Sequence, residues 1–154
     1  MSDNRTAFLD MLAWSEGTST IPGSDNGYNV LVGSTPSHPL LFHSYADHPR
    51  ILNPDLDSTA AGRYQLLARY YDAYKQMLNL PDFSPASQDA IARQQITERR
   101  AMVDIDAGNL SSAILKCGTI WASLPGSPYG QHQQNLSGLQ TVYLNAGGTL
   151  APNS

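Results

Sequence analysis

Two glutamates, Glu16 and Glu98, stand against eleven aspartates in this sequence. Helical proteins normally use Glu freely as a surface helix former, so a lone Glu beside Trp14, Ser15 and Gly17 directs attention to its chemistry. From Asn4 to Gly17 apolar residues recur at helical spacing and end on a glycine stop. That reading puts Glu16 in the last turn of a mostly apolar helix, where a carboxylate meets the negative end of the helix macrodipole and loses some solvent. Both effects favour its protonated form, as a general acid at neutral pH requires. Such an acid can protonate a glycosidic oxygen while an oxocarbenium-like state forms at the sugar.

Ordinary glycosidases need a second carboxylate. Asp25, nine positions after Glu16 and followed by Asn26–Gly27–Tyr28, is the candidate at short spacing. The Glu–Asp spacing resembles that of the T-even phage lysozymes, although Leu31 stands where that family has a catalytic Thr. An Asp before Asn-Gly is more often a turn residue. His38, His43 and His48, with Asp47, offer a poor metal pattern: fivefold spacing sends neighbouring histidines to opposite faces of a strand. No metal and no cofactor are expected. Cys117 lies in the apolar run ILKCGTIW and reads as a buried, inert thiol; no G-x-S-x-G elbow is present. Eight Tyr and two Trp also suit stacking on sugar rings without catalysis. Tyr64 in GRYQ and Tyr129 in PYGQ lie near Gln65 and Gln131, amides able to reach sugar hydroxyls, whereas Tyr70 and Tyr74 are one helical turn apart and read as helix packing.

The elements that must position these residues change character along the chain. After the first helix, Gly, Pro, Ser, Asn and Asp cluster at 17–27. Short β-type runs follow at Tyr28–Val32 and Leu40–Phe42, separated by the turn chemistry of GSTPSHP. Two or three short antiparallel strands are expected there, then irregular chain through Pro49 and Pro54. From Ala61 onward the spacing predicts helices: one over AAGRYQLLARYYDAYKQML, one opened by Ser84 as N-cap with Pro85 first and running through Met102, one from about Asn109 to Trp121, and one from about Gln133 to Asn145. Gly147 and Gly148 end the last, and 149–154 reads as a loose tail. The layout is α+β, with a cleft expected where the small sheet meets the helical lobe and Glu16 pointing at it.

The chain has 154 residues, a length that suits one domain over 1–154. No apolar run approaches a membrane span, and MSDNRTAFLD has neither a basic nor an apolar leader region. One cysteine excludes an internal disulfide. A net charge of −4 speaks against non-specific nucleic-acid binding, which wants a basic face.

Four longer strings carry a family resemblance: AFLDMLAWSEGT (7–18), STAAGRYQLLARYYDAY (58–74), FSPASQDAIARQQITERRA (83–101) and IWASLPGSPYGQ (120–131). With GYNVLVG (27–33) and YADHPR (45–50) between them, they resemble the lambda-type endolysins, collinearly from about Ala7 to Gly148. The resemblance implies a lysozyme-like fold, with a small antiparallel β-lobe and a larger helical lobe. It also implies a lytic transglycosylase that cuts the β-1,4 bond between N-acetylmuramic acid and N-acetylglucosamine in peptidoglycan without water, leaving 1,6-anhydro-muramyl ends. WSEG maps the family's catalytic glutamate to Glu16, which would act alone as acid and then base. By the same match, Tyr64 and Gln65 become substrate contacts with Gly62 allowing close approach, Tyr129 and Gln131 likewise, Tyr45 stands at the rim of the β-lobe, and Ser15 shapes the Glu16 environment. Glu98, beside Arg99 and Arg100, is assigned a structural role.

The family implies a monomer that acts on glycan strands. It would be made in the host cytoplasm and released to the periplasm and wall by a holin, with no membrane insertion of its own. Two alternatives remain from the residues: a hydrolytic lysozyme using Glu16 with Asp25 and water, and a catalytically dead wall-binding or tail-associated module. The β-lobe departs from the family pattern. The loop TSTIPGSDNGYN lacks basic residues, Asn29 replaces an Asp after Gly-Tyr, and the chain is acidic where the family is basic.

Overall fold

Gly17 adopts a φ of 83°, a left-handed conformation that closes helix α1 (Asn4–Glu16) and turns the chain into a single 3₁₀ turn over Thr18–Thr20. Glu16 is therefore the last helical residue, as the glycine stop predicts. The computed structural model describes residues 3–125 and 133–152. Within them the chain divides into two compact units, Met1–Ser15 with Ala92–Ser154, and Glu16–Ile91. The divisions fall inside α1 and inside α3 (Pro85–Glu98).

In the Glu16–Ile91 unit the expected strands are present only as single antiparallel bridges. Val30 pairs with Leu41 and Leu31 with Ala61, and the backbone bonds Leu31 N–Leu40 O (2.9 Å) and Phe42 N–Asn29 O (2.9 Å) flank them. The third pairing segment, 60–62, belongs to a stretch that the spacing assigns to a helix. Ala61 pairs instead with Leu66, and Gly62-Arg63-Tyr64-Gln65 forms the loop of a tight hairpin with positive φ at Gly62 (86°) and Gln65 (55°). Helix α2 consequently begins seven residues later than expected and spans Ala68–Leu78. Its Tyr71 packs with Phe42, Ala61, Leu66, Phe83 and Ile91 in the core of this unit, with Tyr45 and Tyr74 against the edge.

Helix α3 opens as its sequence predicts: Ser84 Oγ accepts from Ser87 N, and Pro85 takes the first helical position. It stops at Glu98, before the expected Met102, because Arg100 turns to a φ of 59°. A short α4 (Met102–Ala107) then packs on α5 (Leu110–Cys117), and α6 (Leu136–Asn145) closes the series with Asn135 Oδ1 capping Gly138 N at 2.7 Å. The unit of chain ends buries Phe8, Met11, Leu12, Ile96, Ile105, Ile114, Leu124, Leu139 and Tyr143. No helix among the described residues is long and apolar enough to cross a membrane.

Candidate active site

The last turn of α1 is held from both sides of Glu16. Before it, Ser15 is buried and its Oγ lies 2.6 Å from Ser123 Oγ; Ser123 O in turn accepts from Gln134 N at 2.7 Å. After it, Thr20 Oγ1 donates to Gly17 O at 2.9 Å, and the buried Thr18 hydroxyl donates to Arg63 O at 2.6 Å. Glu16 itself is half-buried.

Gly27 explains how Thr18 is seated. With φ at 87°, a Cβ there would stand 2.8 Å from Thr18 C and 2.9 Å from its Oγ1. Asn26 and Gly27 both have positive φ, and Tyr28 N returns to Asp25 O at 2.9 Å, so Asp25–Tyr28 is the hairpin-type turn that Asn-Gly encodes. Asp25 is exposed; its Oδ2 accepts from Tyr45 Oη at 2.7 Å, and its backbone N–H donates to Asn29 Oδ1 at 2.8 Å. Burial and the facing carboxylate push the Tyr45 phenol well above its ordinary value, so it stays a donor.

The hairpin loop 62–65 is built on Gln88 of α3. Gln88 Oε1 accepts from Arg63 N at 2.9 Å, while its Nε2 donates to Tyr28 O and Phe83 O. The space beside Gly62 is filled by the protein itself, since a Cβ would lie 2.5 Å from Gln88 Oε1 and 2.9 Å from Phe83 Cζ. The close approach this glycine permits is therefore to the interior. Arg63 is only 4% exposed: its Nε donates to Asn26 O at 2.9 Å, its Nη1 to Tyr64 Oη at 3.0 Å, and its guanidinium lies over the Tyr28 and Tyr64 rings, 5.1 and 5.6 Å from their centroids. Both phenols donate to Asp89, Tyr64 to Oδ1 at 2.6 Å and Tyr28 to the same oxygen at 2.9 Å. Burial first, then Asp89, raise both phenols above their ordinary value, which keeps them protonated.

The predicted positions among the described residues have the following surroundings. Tyr64 is 5% exposed, and its hydroxyl accepts from Arg63 and donates to Asp89. Gln65 is half-buried, and its Nε2 donates to Gly62 O at 2.9 Å and Val30 O at 3.3 Å. Tyr129 and Gln131 lie outside the described residues. Glu98 Oε2 accepts from Gln94 Nε2 within α3. Cys117 is fully buried, and burial pushes its thiol up to about 12, an unreactive group. His48 is buried with both nitrogens committed, Nε2 to Leu66 O at 2.8 Å and Nδ1 accepting from Arg50 N at 3.0 Å; His38 and His43 are exposed. Among the described residues no three His, Cys, Asp or Glu side chains gather where a metal could be held.

Arg63, Gln88, Asp89, Thr18 and Tyr28 escape the reading of spacing. A signal for them exists: Ser87-Gln88-Asp89 sets three polar residues between the buried Phe83 and Ile91, so some of them must face inward.

Comparison with known proteins agrees over nearly the whole chain. The family model described as Endolysin matches residues 6–150. The endolysin of Escherichia phage lambda is 52% identical over 97% of this chain and 95% of its own length, and that of Escherichia phage P2 is 48% identical over 96% and 95%. A solved structure of bacteriophage lambda lysozyme complexed with a chitohexasaccharide superposes with a TM-score of 0.90 at 51% identity, covering 98% of both chains. A second structure of the lambda lysozyme gives 0.86 at 50% identity, again over 98% of each. The chain belongs to the endolysin family and has a lysozyme-like fold.

Proposed function

We propose that this endolysin is a lytic transglycosylase of bacterial peptidoglycan in which Glu16 is the one acid and base. Glu16 protonates the oxygen between N-acetylmuramic acid and N-acetylglucosamine as the C1–O bond breaks. The resulting carboxylate then takes the proton from the muramic C6 hydroxyl, whose oxygen bonds to C1 of its own ring. A 1,6-anhydro end forms and no water is consumed. The attack is intramolecular, so proximity lowers its barrier without a positioned water. The observation that carries this reading is the state of Asp25, the second carboxylate that hydrolysis would enlist. It sits in an exposed turn and accepts the Tyr45 hydroxyl at 2.7 Å.

The glycan partner fits the chitohexasaccharide in the lambda lysozyme structure, a polymer of the same N-acetylated sugar type. In this reading Gln65 and Tyr45 contact sugars directly, with Tyr129 and Gln131 assigned by resemblance, while Ser15 and Tyr64 support the site from within. The enzyme works as a monomer and reaches the wall after holin-mediated release. A hydrolytic alternative, with Asp25 and water beside Glu16, is favoured by the name lysozyme that both solved relatives carry.

Two measurements test the proposal. Glu16→Gln is expected to abolish turbidity clearing of cells stripped of their outer membrane while the thermal transition is retained. Muropeptides released from purified peptidoglycan should be one water lighter than hydrolytic products and inert to borohydride. Reducible muramic ends would replace the proposal with hydrolysis and bring Asp25 into the mechanism.

A further inference from the structure

We propose that Arg63 is a positioning residue for Glu16 and acts through Thr18: the enclosed guanidinium fixes the backbone carbonyl that holds the turn leaving the helix. The inference rests on the role assigned to Glu16 above.

Proton transfer needs the carboxyl within about 2.6–3.2 Å of the glycosidic oxygen, yet Glu16 sits where a helix frays. The last carbonyls of α1 have no intrahelical donors, and Gly17 alone would leave the exit free to vary. Thr18 removes that freedom. Its hydroxyl is bound to Arg63 O, and Gly27 packs against its backbone closely enough to leave no room for a Cβ. The position of Arg63 O thus sets the position of Thr18, two residues from Glu16.

Arg63 O is itself immobilised by its own residue. The backbone N–H is bound to Gln88 on α3, Nε to Asn26 in the Asp25–Tyr28 turn, and Nη1 to Tyr64, whose hydroxyl in turn donates to Asp89. Tyr28 adds a second face over the cation and a second donor to the same carboxylate. Burying a guanidinium is costly unless it is paired and hydrogen-bonded, and this one has a carboxylate linked through a phenol and two aromatic faces. An apolar side chain would be a simpler way to hold a hairpin tip. The charged network instead ties the turn after Glu16, the Asn-Gly turn and α3 into one geometry, as a satisfied buried polar network does.

The test compares Thr18→Val, which keeps the shape and loses the hydroxyl, with Thr18→Ser, which keeps the hydroxyl. Both are assayed on soluble glycan strands for kcat, KM and the pH profile of kcat. A displacement of the order of 1 Å can cost about 100-fold in rate, so Thr18→Val is expected to lose roughly 10- to 100-fold in kcat with KM within about 2-fold, and the alkaline limb of its profile, where Glu16 loses the proton it must donate, should move. Thr18→Ser should recover most of kcat and the original profile. If Thr18→Val does not fold, Tyr64→Phe, which cuts the link between Arg63 and Asp89, enters the same assay with the same expectation. A folded variant with unchanged kcat and pH profile, or a kcat loss that Thr18→Ser fails to restore, overturns the inference. Glu16→Gln in parallel separates the two readings: activity surviving that change removes the role of Glu16, whereas a dead Glu16→Gln beside an unaffected Thr18→Val removes only the positioning by Arg63.

Discussion

Each of the two units of this chain is stabilised internally by different physics. Among the described residues the buried polar side chains are Thr18, His48, Arg63, Ser87 and Gln88 in the Glu16–Ile91 unit, against Ser15 alone in the other. Backbone conformation divides the same way: among the described non-glycine residues, Asn26, Arg50, Asp57, Gln65 and Asn79 take positive φ in the Glu16–Ile91 unit, and Arg100 in the other. The unit of chain ends is helical and buries Phe8, Met11, Leu12, Ile105, Ile114 and Leu139. Hydrophobic burial is non-directional and scales with area, so it fixes that the helices pack. Hydrogen bonds to Gln88, Arg63 and His48 are directional, so they fix where each loop lies. A site that transfers protons over a bond length needs the second kind of constraint.

The contrast predicts two classes of large mutational effect. Phe8→Ala in the helical unit should cost about 3–5 kcal/mol, and Phe8→Leu well under half of that, because volume is what matters there. Gly62→Ala should cost about 2–4 kcal/mol, from left-handed strain added to collision with Gln88 and Phe83. Gly17→Ala is the matched control: φ is similar at 83°, but the Cβ would meet nothing within 4 Å, so only the strain of about 1–2 kcal/mol remains. Denaturant unfolding measures all four. Equal costs for Gly62→Ala and Gly17→Ala would mean that the Gln88 contact is not a constraint.

His48 sharpens the comparison through pH. It is buried against the Tyr71 and Phe83 rings, and burial holds its imidazole below the ordinary 6.5. The native ring therefore stays neutral while the unfolded chain takes up a proton as pH drops under 6.5. Its contribution to stability is complete above pH 6.5 and declines on acidification from there towards the lower folded-state value. The thermal midpoint should fall across that window, and His48→Gln, which retains an amide donor for Leu66 O, should flatten the fall. An unchanged slope in His48→Gln would assign the acid sensitivity elsewhere.

The same division explains what the sequence makes legible. Helix boundaries marked by Gly17, by Ser84-Pro85 and by Gly147 are local chemistry and sit where they are expected. The hairpin at 61–66 is not marked, because Tyr64, Leu67, Tyr70 and Tyr71 continue the helical spacing of α2. Only Gly62 hints at a break, and Gln65 carries a positive φ that non-glycine residues seldom adopt. Glu16 is readable from type and position, and Asp25 as a turn residue from Asn-Gly. Arg63 and Asp89 are not readable. Charged residues are normally solvated, whereas Arg63 is enclosed and Asp89 half-buried through partners as far as 25 to 61 positions away, among them Asn26 for Arg63 and Tyr28 and Tyr64 for Asp89.

At the surface the contrast should vanish, which gives its smallest test. Arg5 and Asp106 in the helical unit form a two-bond pair, Nε–Oδ1 at 2.8 Å and Nη2–Oδ2 at 2.7 Å, with both side chains nearly half exposed. Arg50 and Asp47 in the other unit pair at 3.0 Å with similar exposure. In each pair the aspartate is held below its usual range, chiefly by the guanidinium hydrogen bond. Exposed pairs of this kind contribute about 0.2–1 kcal/mol and weaken with salt. Double-mutant cycles should return couplings under about 1 kcal/mol for both, each reduced further in 1 M salt. Equal small values would locate the difference between the units in their interiors, where Arg63 is enclosed and Arg5 is not. A coupling for Arg50–Asp47 well above that of Arg5–Asp106, persisting in salt, would show instead that the loop-rich unit draws on its surface charges as well.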